Sequence, residues 1–136
     1  MPTVGLLDTS TLILLAQVAD PSTLPDAPAI STITLAELSV GPVVATTDDE
    51  RVARLAHLQL AESDFDPIPF DAAAARAFAL VSSSLRSVGR KPAARAFDAL
   101  IASIAISRGI PLYTCNPSDF TGIAGLDLHS VAVEIP

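Results

Sequence analysis

The sequence predicts an α/β fold of three layers, with a central, mostly parallel sheet of four or five strands flanked by helices. Three observations carry this prediction. Short apolar runs alternate with longer segments of helical periodicity, the pattern of a parallel sheet covered on both faces. Half of the 136 residues are apolar and the mean hydropathy is +0.50, enough for a sizeable core and too much for a disordered chain. Acidic residues stand directly behind two of the apolar runs, where such a sheet opens its ligand crevice. The length fits one domain, residues 1–136.

The elements follow in order. Residues 3–7 read as strand one, ending at Asp8. Thr9 or Ser10 would cap a helix over 11–18. The prolines of 20–26 mark a loop. Residues 29–33 read as strand two, and 34–40 as a short helix stopped by Gly41-Pro42. Thr47, followed three residues later by Glu50, opens a helix over 47–61. Residues 67–70 read as a short edge strand because of their prolines. Asp71 caps an amphipathic helix in which Ala74, Phe78, Val81, Leu85 and Val88 recur at helical spacing, ended by Gly89. Pro92 suits the first turn of a helix through Ser107, whose second half is apolar enough to be buried. Residues 111–114 read as strand four, and 130–133 as the candidate for a fifth strand.

Several classes are excluded. The net charge of −7, from 15 acidic and 8 basic residues, rules out a uniformly basic nucleic-acid coat but not a local basic patch. Uncharged stretches run to about ten residues, half of what a membrane helix requires. The N-terminus has no basic region before its apolar run, so no secretory leader is expected. The single cysteine, Cys115, fits a reducing cytoplasm. No Cys/His spacing supports zinc, and the six glycines form no phosphate loop. His57 reads as a surface helix residue. Ser10 with a distant His is too little for a Ser-His-Asp arrangement. An aspartyl-phosphate hydrolase would want an acid two residues after Asp8, where Ser10 stands.

Four acids remain, each with an ordinary reading beside a chemical one. Asp8 follows strand one, as a turn residue, a cap, or a carboxylate facing the crevice. Glu37 spells a capping box with Thr34, yet also falls near Asp8. Asp98 opens the apolar helix; a lone buried carboxylate there needs a partner or a cation, whereas a solvated first turn needs neither. Asp119 lies in the loop after strand four. Together they come from strand ends and helices at one edge of the sheet. Clustered carboxylates repel one another unless a cation sits between them. Hard oxygen donors favour Mg²⁺ or Mn²⁺, the ions that support phosphodiester hydrolysis.

Four segments resemble the signature blocks of PIN-domain nucleases: Leu6-Leu7-Asp8-Thr9-Ser10, Thr34-Leu35-Ala36-Glu37-Leu38-Ser39-Val40-Gly41, Asp98-Ala99-Leu100-Ile101-Ala102-Ser103-Ile104-Ala105, and Leu112-Tyr113-Thr114-Cys115-Asn116-Pro117-Ser118-Asp119-Phe120. Size and spacing resemble the VapC toxins of bacterial toxin–antitoxin pairs. The resemblance implies a PIN-like three-layer sandwich and a Mg²⁺- or Mn²⁺-dependent endoribonuclease that inhibits translation. It implies a homodimer, an RNA substrate and a cognate VapB-like antitoxin. It makes Asp8, Glu37 and Asp98 metal-binding catalytic acids. The fourth block often carries an acid two residues after its Thr; here Asn116 stands there, so Asp119 would supply the fourth carboxylate. Thr9, Thr114 and Asn116 would orient the acids. That departure keeps a second reading open, a non-catalytic RNA- or partner-binding module with an impaired metal site.

Arg86, Arg90, Lys91 and Arg95 hold four of the eight basic charges just before Asp98. They read as a solvated helix end, or as a rim that contacts RNA phosphate beside the acids.

Overall fold

The computed structural model describes residues 2–91 and 95–134. Strands β1 (Val4–Leu7), β2 (Ala27–Ala29), β3 (Leu112–Thr114) and β4 (Leu128–Ser130) form one sheet in the order β2-β1-β3-β4, with every pair parallel. The helices are α1 (Thr9–Ile13), α2 (Thr32–Val40), α3 (Asp48–Asp64), α4 (Ala72–Ser87) and α5 (Ala96–Arg108).

The alternation of side chains along a strand builds the layers. Leu6 and Leu112 point to one face and pack with Ile101, Ala102 and Ala105 of α5 and Ala74 of α4. Leu7 and Tyr113 point to the other, with Leu12 of α1, Leu38 of α2 and Ala61 of α3. Leu6 and Leu7 are fully buried, as the two-face reading requires. Gly5 is needed for close approach: a Cβ there would run into the Tyr113 ring and stand 2.9 Å from Pro25 Cβ. Gly109, in the left-handed region at φ 64°, ends α5. Among the described residues no helix is long and apolar enough to cross a membrane.

The boundaries differ from the sequence expectation in several places. Strand two starts earlier than expected and ends at Ala29 instead of running over 29–33, because Ser31 caps α2: the Thr34 N–H donates to Ser31 Oγ at 3.2 Å. The expected capping box of Thr34 and Glu37 is therefore absent, and Glu37 lies inside the helix. Residues 67–70 do not form a strand. Pro67 and Pro69 lack N–H donors, so pairing shrinks to one bridge, Ser31 with Ile68. The last strand is β4, not 130–133; Val133 instead bridges Val18 in antiparallel sense. The first helix is shorter than 11–18: α1 stops at Ile13 and continues as a 3-10 turn, Leu15–Gln17. Val88, placed on the apolar stripe of α4, lies beyond the helix end and is 55% exposed. Helix α5 is buried through Ala99, Ile101, Ala102, Ser103, Ile104 and Ala105, as its composition demands. Pro92 falls outside the described residues.

Candidate active site

The chain reverses its winding at β1, with β2 on one side and β3 on the other. The carboxyl ends of β1 and β3 thus frame a crevice, and the acids gather there. Asp8 stands between β1 and α1. The Thr11 N–H donates to its Oδ1 at 3.1 Å and the Thr11 hydroxyl donates to the same oxygen. The Thr114 hydroxyl, from the end of β3, donates to Oδ2 at 2.7 Å. Those hydroxyls are themselves held: Cys115 N–H donates to Thr11 Oγ1 at 3.0 Å, and Asn116 N–H to Thr114 Oγ1 at 2.9 Å. Asp8 is only 2% exposed. Three donors leave about one of its four acceptor positions open. Asp8 is therefore a helix cap and a fixed, crevice-edge carboxylate at once.

Glu37 is reached through a relay of hydroxyls. Thr9 Oγ1 donates to Glu37 Oε1 at 2.6 Å and stands 2.9 Å from Thr34 Oγ1. With the Thr9 proton spent on Glu37, Thr34 is the donor to Thr9. Half-burial pushes the Glu37 carboxyl above the ordinary range; the Thr9 hydrogen bond opposes this and the charge of Asp8 adds to it.

Asp98 lies in the first turn of α5, where the helix dipole favours a carboxylate. Its surroundings override the dipole. Burial first, then the charges of Asp119, Asp8 and Glu37, push its carboxyl from 3.8 up to about 6, against the pull of Arg95. Asp119 sits in the 3-10 turn Pro117–Phe120 after β3, with Arg95 Nη1 at 3.0 Å. The same guanidinium nitrogen stands 3.9 Å from Asp98. Asn116 is turned to the α1 side, its Nδ2 donating to Ser10 Oγ at 3.1 Å.

The four acids share one electrostatic field, since Asp98 feels the other three. Among the described residues, however, no three acidic, His or Cys side chains stand close enough together to hold a metal ion between them. Arg95 supplies the positive charge between Asp98 and Asp119. An all-oxygen, mutually repelling donor set around an open crevice fits a hard divalent cation that keeps its own waters.

Comparison with known proteins gives the chain a family. Residues 6–126 match the family model described as PIN domain. The chain belongs to the PIN-domain family. Ribonuclease VapC5 of Mycobacterium tuberculosis is 38% identical to this PIN domain over 126 residues, 91% of this chain and 90% of that protein. Ribonuclease VapC1 of Rickettsia felis is 31% identical over 76% of this chain and 75% of its own. A crystal structure of VapBC-5 from M. tuberculosis, a member of the VapBC family of toxin–antitoxin systems, superimposes with a TM-score of 0.83 at 38% identity, covering 96% of this chain and 100% of that one.

The basic residues of this PIN domain divide. Arg90, Lys91, Arg95 and Asp119 line a cavity of about 370 Å³ together with Leu85 and Ile123. Within it Arg90 is committed inward: Nη1 donates to the Thr121 carbonyl at 2.5 Å and Nη2 to the Asp119 carbonyl at 3.4 Å. It ties the turn carrying Asp119 to the end of α4. Arg86 is exposed, outside this cavity, with its Nε 3.4 Å from Ser82 Oγ.

Sequence reasoning missed Thr11, whose spacing of three from Asp8 is the signal of a capped first turn. It also missed the surroundings of His57. Read as a surface helix residue, His57 is half-buried and lines a second cavity with Thr9, Glu37 and Arg54.

Proposed function

We propose that this PIN domain is a Mg²⁺- or Mn²⁺-dependent endoribonuclease, the toxin of a toxin–antitoxin pair, acting on cytoplasmic RNA to inhibit translation and silenced by a VapB-like antitoxin. A homodimer is its assembly. The observation that carries the reading is Asp98, half-buried in the first turn of α5 at the carboxyl edge of the sheet, with its carboxyl pushed up by burial and by the charges of Asp119, Asp8 and Glu37. Such a set is held together by a cation, and phosphodiester hydrolysis is the chemistry that uses one. The relationship to VapC ribonucleases, one of them 38% identical, supports the substrate class. The coupled carboxylates favour catalysis over the non-catalytic module, because a binding site for a polyanion gains nothing from four acids.

Asp8, Glu37, Asp98 and Asp119 would hold the ion. When bound, it lowers the pKa of a coordinated water and stabilises the charge that develops on phosphorus. The protein supplies the geometry. Thr11 and Thr114 fix both oxygens of Asp8, and Thr34 and Thr9 orient Glu37. Asn116 packs its amide against Ser10 and its N–H against Thr114, so it supports Asp8 through Thr114. Lys91 and Arg95 face the cavity beside the acids and meet RNA phosphate there. Arg86 extends this basic rim along α4.

The test is induction in a bacterial host of wild type and Asp8→Asn, with sequencing of cellular RNA 5′ ends, and cleavage of the identified RNA by purified protein with Mg²⁺, Mn²⁺ or EDTA. Growth arrest and discrete new ends for wild type only, and cleavage only with metal, are expected. Equal cleavage by Asp8→Asn, or cleavage in EDTA, refutes the mechanism.

A further inference from the structure

The carboxylates have a cavity on each side. The one toward α4 and α5 carries Arg90, Lys91 and Arg95. The other lies between α2 and α3, measures about 200 Å³, and is lined by Thr9, Ile13, Glu37, Leu38, Gly41, Arg54 and His57. Nothing assigned to the active site so far accounts for His57 or Arg54.

We propose that the pocket between α2 and α3 is a nucleotide subsite of this ribonuclease, in which the His57 ring receives one base of single-stranded RNA and Arg54 faces the adjoining phosphate. The inference rests on the ribonuclease reading and deepens it. Four observations carry it. Thr9 and Glu37, which form one wall, belong to the acid crevice, so an occupant lies next to the scissile position. The volume is below the range of pockets for drug-sized ligands, and suits a single flat ring. Arg54 donates Nη1 to the Gly41 carbonyl at 3.0 Å and its Nη2 stands 3.9 Å from Glu50 Oε2, beyond hydrogen-bond reach, so the guanidinium is fixed in place and a phosphate would compete with Glu50 for its remaining donors. His57 lines the pocket together with the apolar Ile13 and Leu38, and a His ring beside apolar side chains offers a stacking surface, the usual means of holding an unpaired base.

The geometry of α3 separates this pocket from a protein-binding surface. At about 100° per residue, Arg54, His57, Leu58 and Ala61 lie on one side of the helix, Val52 on the opposite side, and Leu55 between them on the flank away from His57. Leu58 and Ala61 pack into the core, while Val52 and Leu55 are 68% and 41% exposed. The exposed apolar residues of α3 are thus turned away from His57, and the pocket combines the Arg54 cation, the His57 imidazole and the Glu37 carboxylate with the apolar Ile13 and Leu38. RNA would then cross the acids from the His57 pocket to the Lys91–Arg95 cavity, with a positive group at each end of its path.

The test uses purified full chain as wild type, His57→Ala and His57→Phe, checked for equal thermal unfolding. Fluorescence anisotropy in EDTA measures binding of labelled oligo(A), oligo(C), oligo(G) and oligo(U). Sequenced ends of a randomised RNA pool cut in Mn²⁺ measure base preference around the cleavage site. Wild type should favour one base at one position. His57→Ala should flatten that preference and weaken the favoured oligonucleotide about ten-fold, and His57→Phe should keep most of the affinity through stacking. Unchanged binding and preference in His57→Ala overturn the proposal. So does weakened antitoxin binding with RNA binding intact, which would give the pocket to the protein partner. If wild type cuts no RNA, the ribonuclease reading fails, and the anisotropy series still decides whether His57 binds a base.

Discussion

Asp98→Asn should stabilise the metal-free protein while removing its ability to cut RNA. In the fold the Asp98 carboxyl is raised from 3.8 to about 6, by burial first and then by Asp119, Asp8 and Glu37. Ionising it at neutral pH therefore opposes folding. The displacement corresponds to about 3 kcal/mol at full strength. The side chain is 25% exposed, so solvent screening reduces the figure to about 1–2 kcal/mol; the opposing charge of Arg95, 3.9 Å away, is already contained in the raised value. The pH dependence has a definite sign. The folded state holds the proton up to about 6 and the unfolded chain releases it near 3.8, so between these values folding takes up a proton. The penalty is absent below 3.8, grows across that window, and is complete above about 6. The amide of Asn fills the same volume without the charge. Thermal unfolding in EDTA should place Asp98→Asn about 3–8 °C above wild type at neutral pH, with the gap closing toward about pH 4. Cleavage in Mn²⁺ should be lost. A variant that melts lower than wild type at neutral pH, or a gap that does not change with pH, would refute the account of a repelling, cation-requiring cluster.

Asp8→Asn keeps a good N-cap for α1, so its melting temperature should stay close to wild type while RNA cleavage falls below detection, as circular dichroism and a cleavage assay would show together. Thr114→Val removes the donor to Asp8 Oδ2 and should weaken Mn²⁺ binding by about 10- to 100-fold in titration calorimetry. Lys91→Ala should leave stability unchanged and lower the salt dependence of RNA binding by about one phosphate contact, whereas Arg90→Ala should also lower the melting temperature, because Arg90 holds the carbonyls of Asp119 and Thr121. Gly5→Ala forces a methyl group against Tyr113 and Pro25 and should destabilise the fold by about 1–3 kcal/mol in denaturant titration.

What was legible in the sequence follows from the range of the forces involved. The parallel layering was written in short-range patterns: Leu6 and Leu7 alternate across a strand, and the apolar block after Asp98 fills a buried helix. The caps at Thr47 and Asp71 were equally local. The start of α2 was misread because two caps compete within a few residues. Thr34 with Glu37 spells one, yet Ser31 wins, since the Thr32 N–H pairs with Ile68 and fixes the chain direction one turn earlier. That tertiary contact leaves no local trace. Its consequence is functional: a Glu37 spent on a capping box would face the backbone, whereas a Glu37 inside α2 meets Thr9.

The same distinction separates the acids from the groups that serve them. Carboxylates behind strand ends are rare enough to stand out in a sequence. Threonines and arginines are not, and their roles depend on contacts across the chain. Thr114 reaches Asp8 across 106 residues, and Arg90 reaches Thr121 across 31. Arg90 shows the difference most sharply. Its charge places it in a basic cluster, and its two donated hydrogen bonds make it a brace for the turn of Asp119. The neighbouring Arg95 has the opposite character: it spends its charge on the carboxylates themselves, at 3.0 Å from Asp119 and 3.9 Å from Asp98. A cation entering the crevice competes with that guanidinium for the same oxygens. Removing Arg95 would therefore act on metal affinity and RNA affinity in opposite directions, strengthening the first by freeing the carboxylates and weakening the second by deleting a phosphate contact. Manganese titration and RNA binding of Arg95→Ala, measured side by side, would show this split, and a loss of both would show that Arg95 braces the acids rather than competing for them.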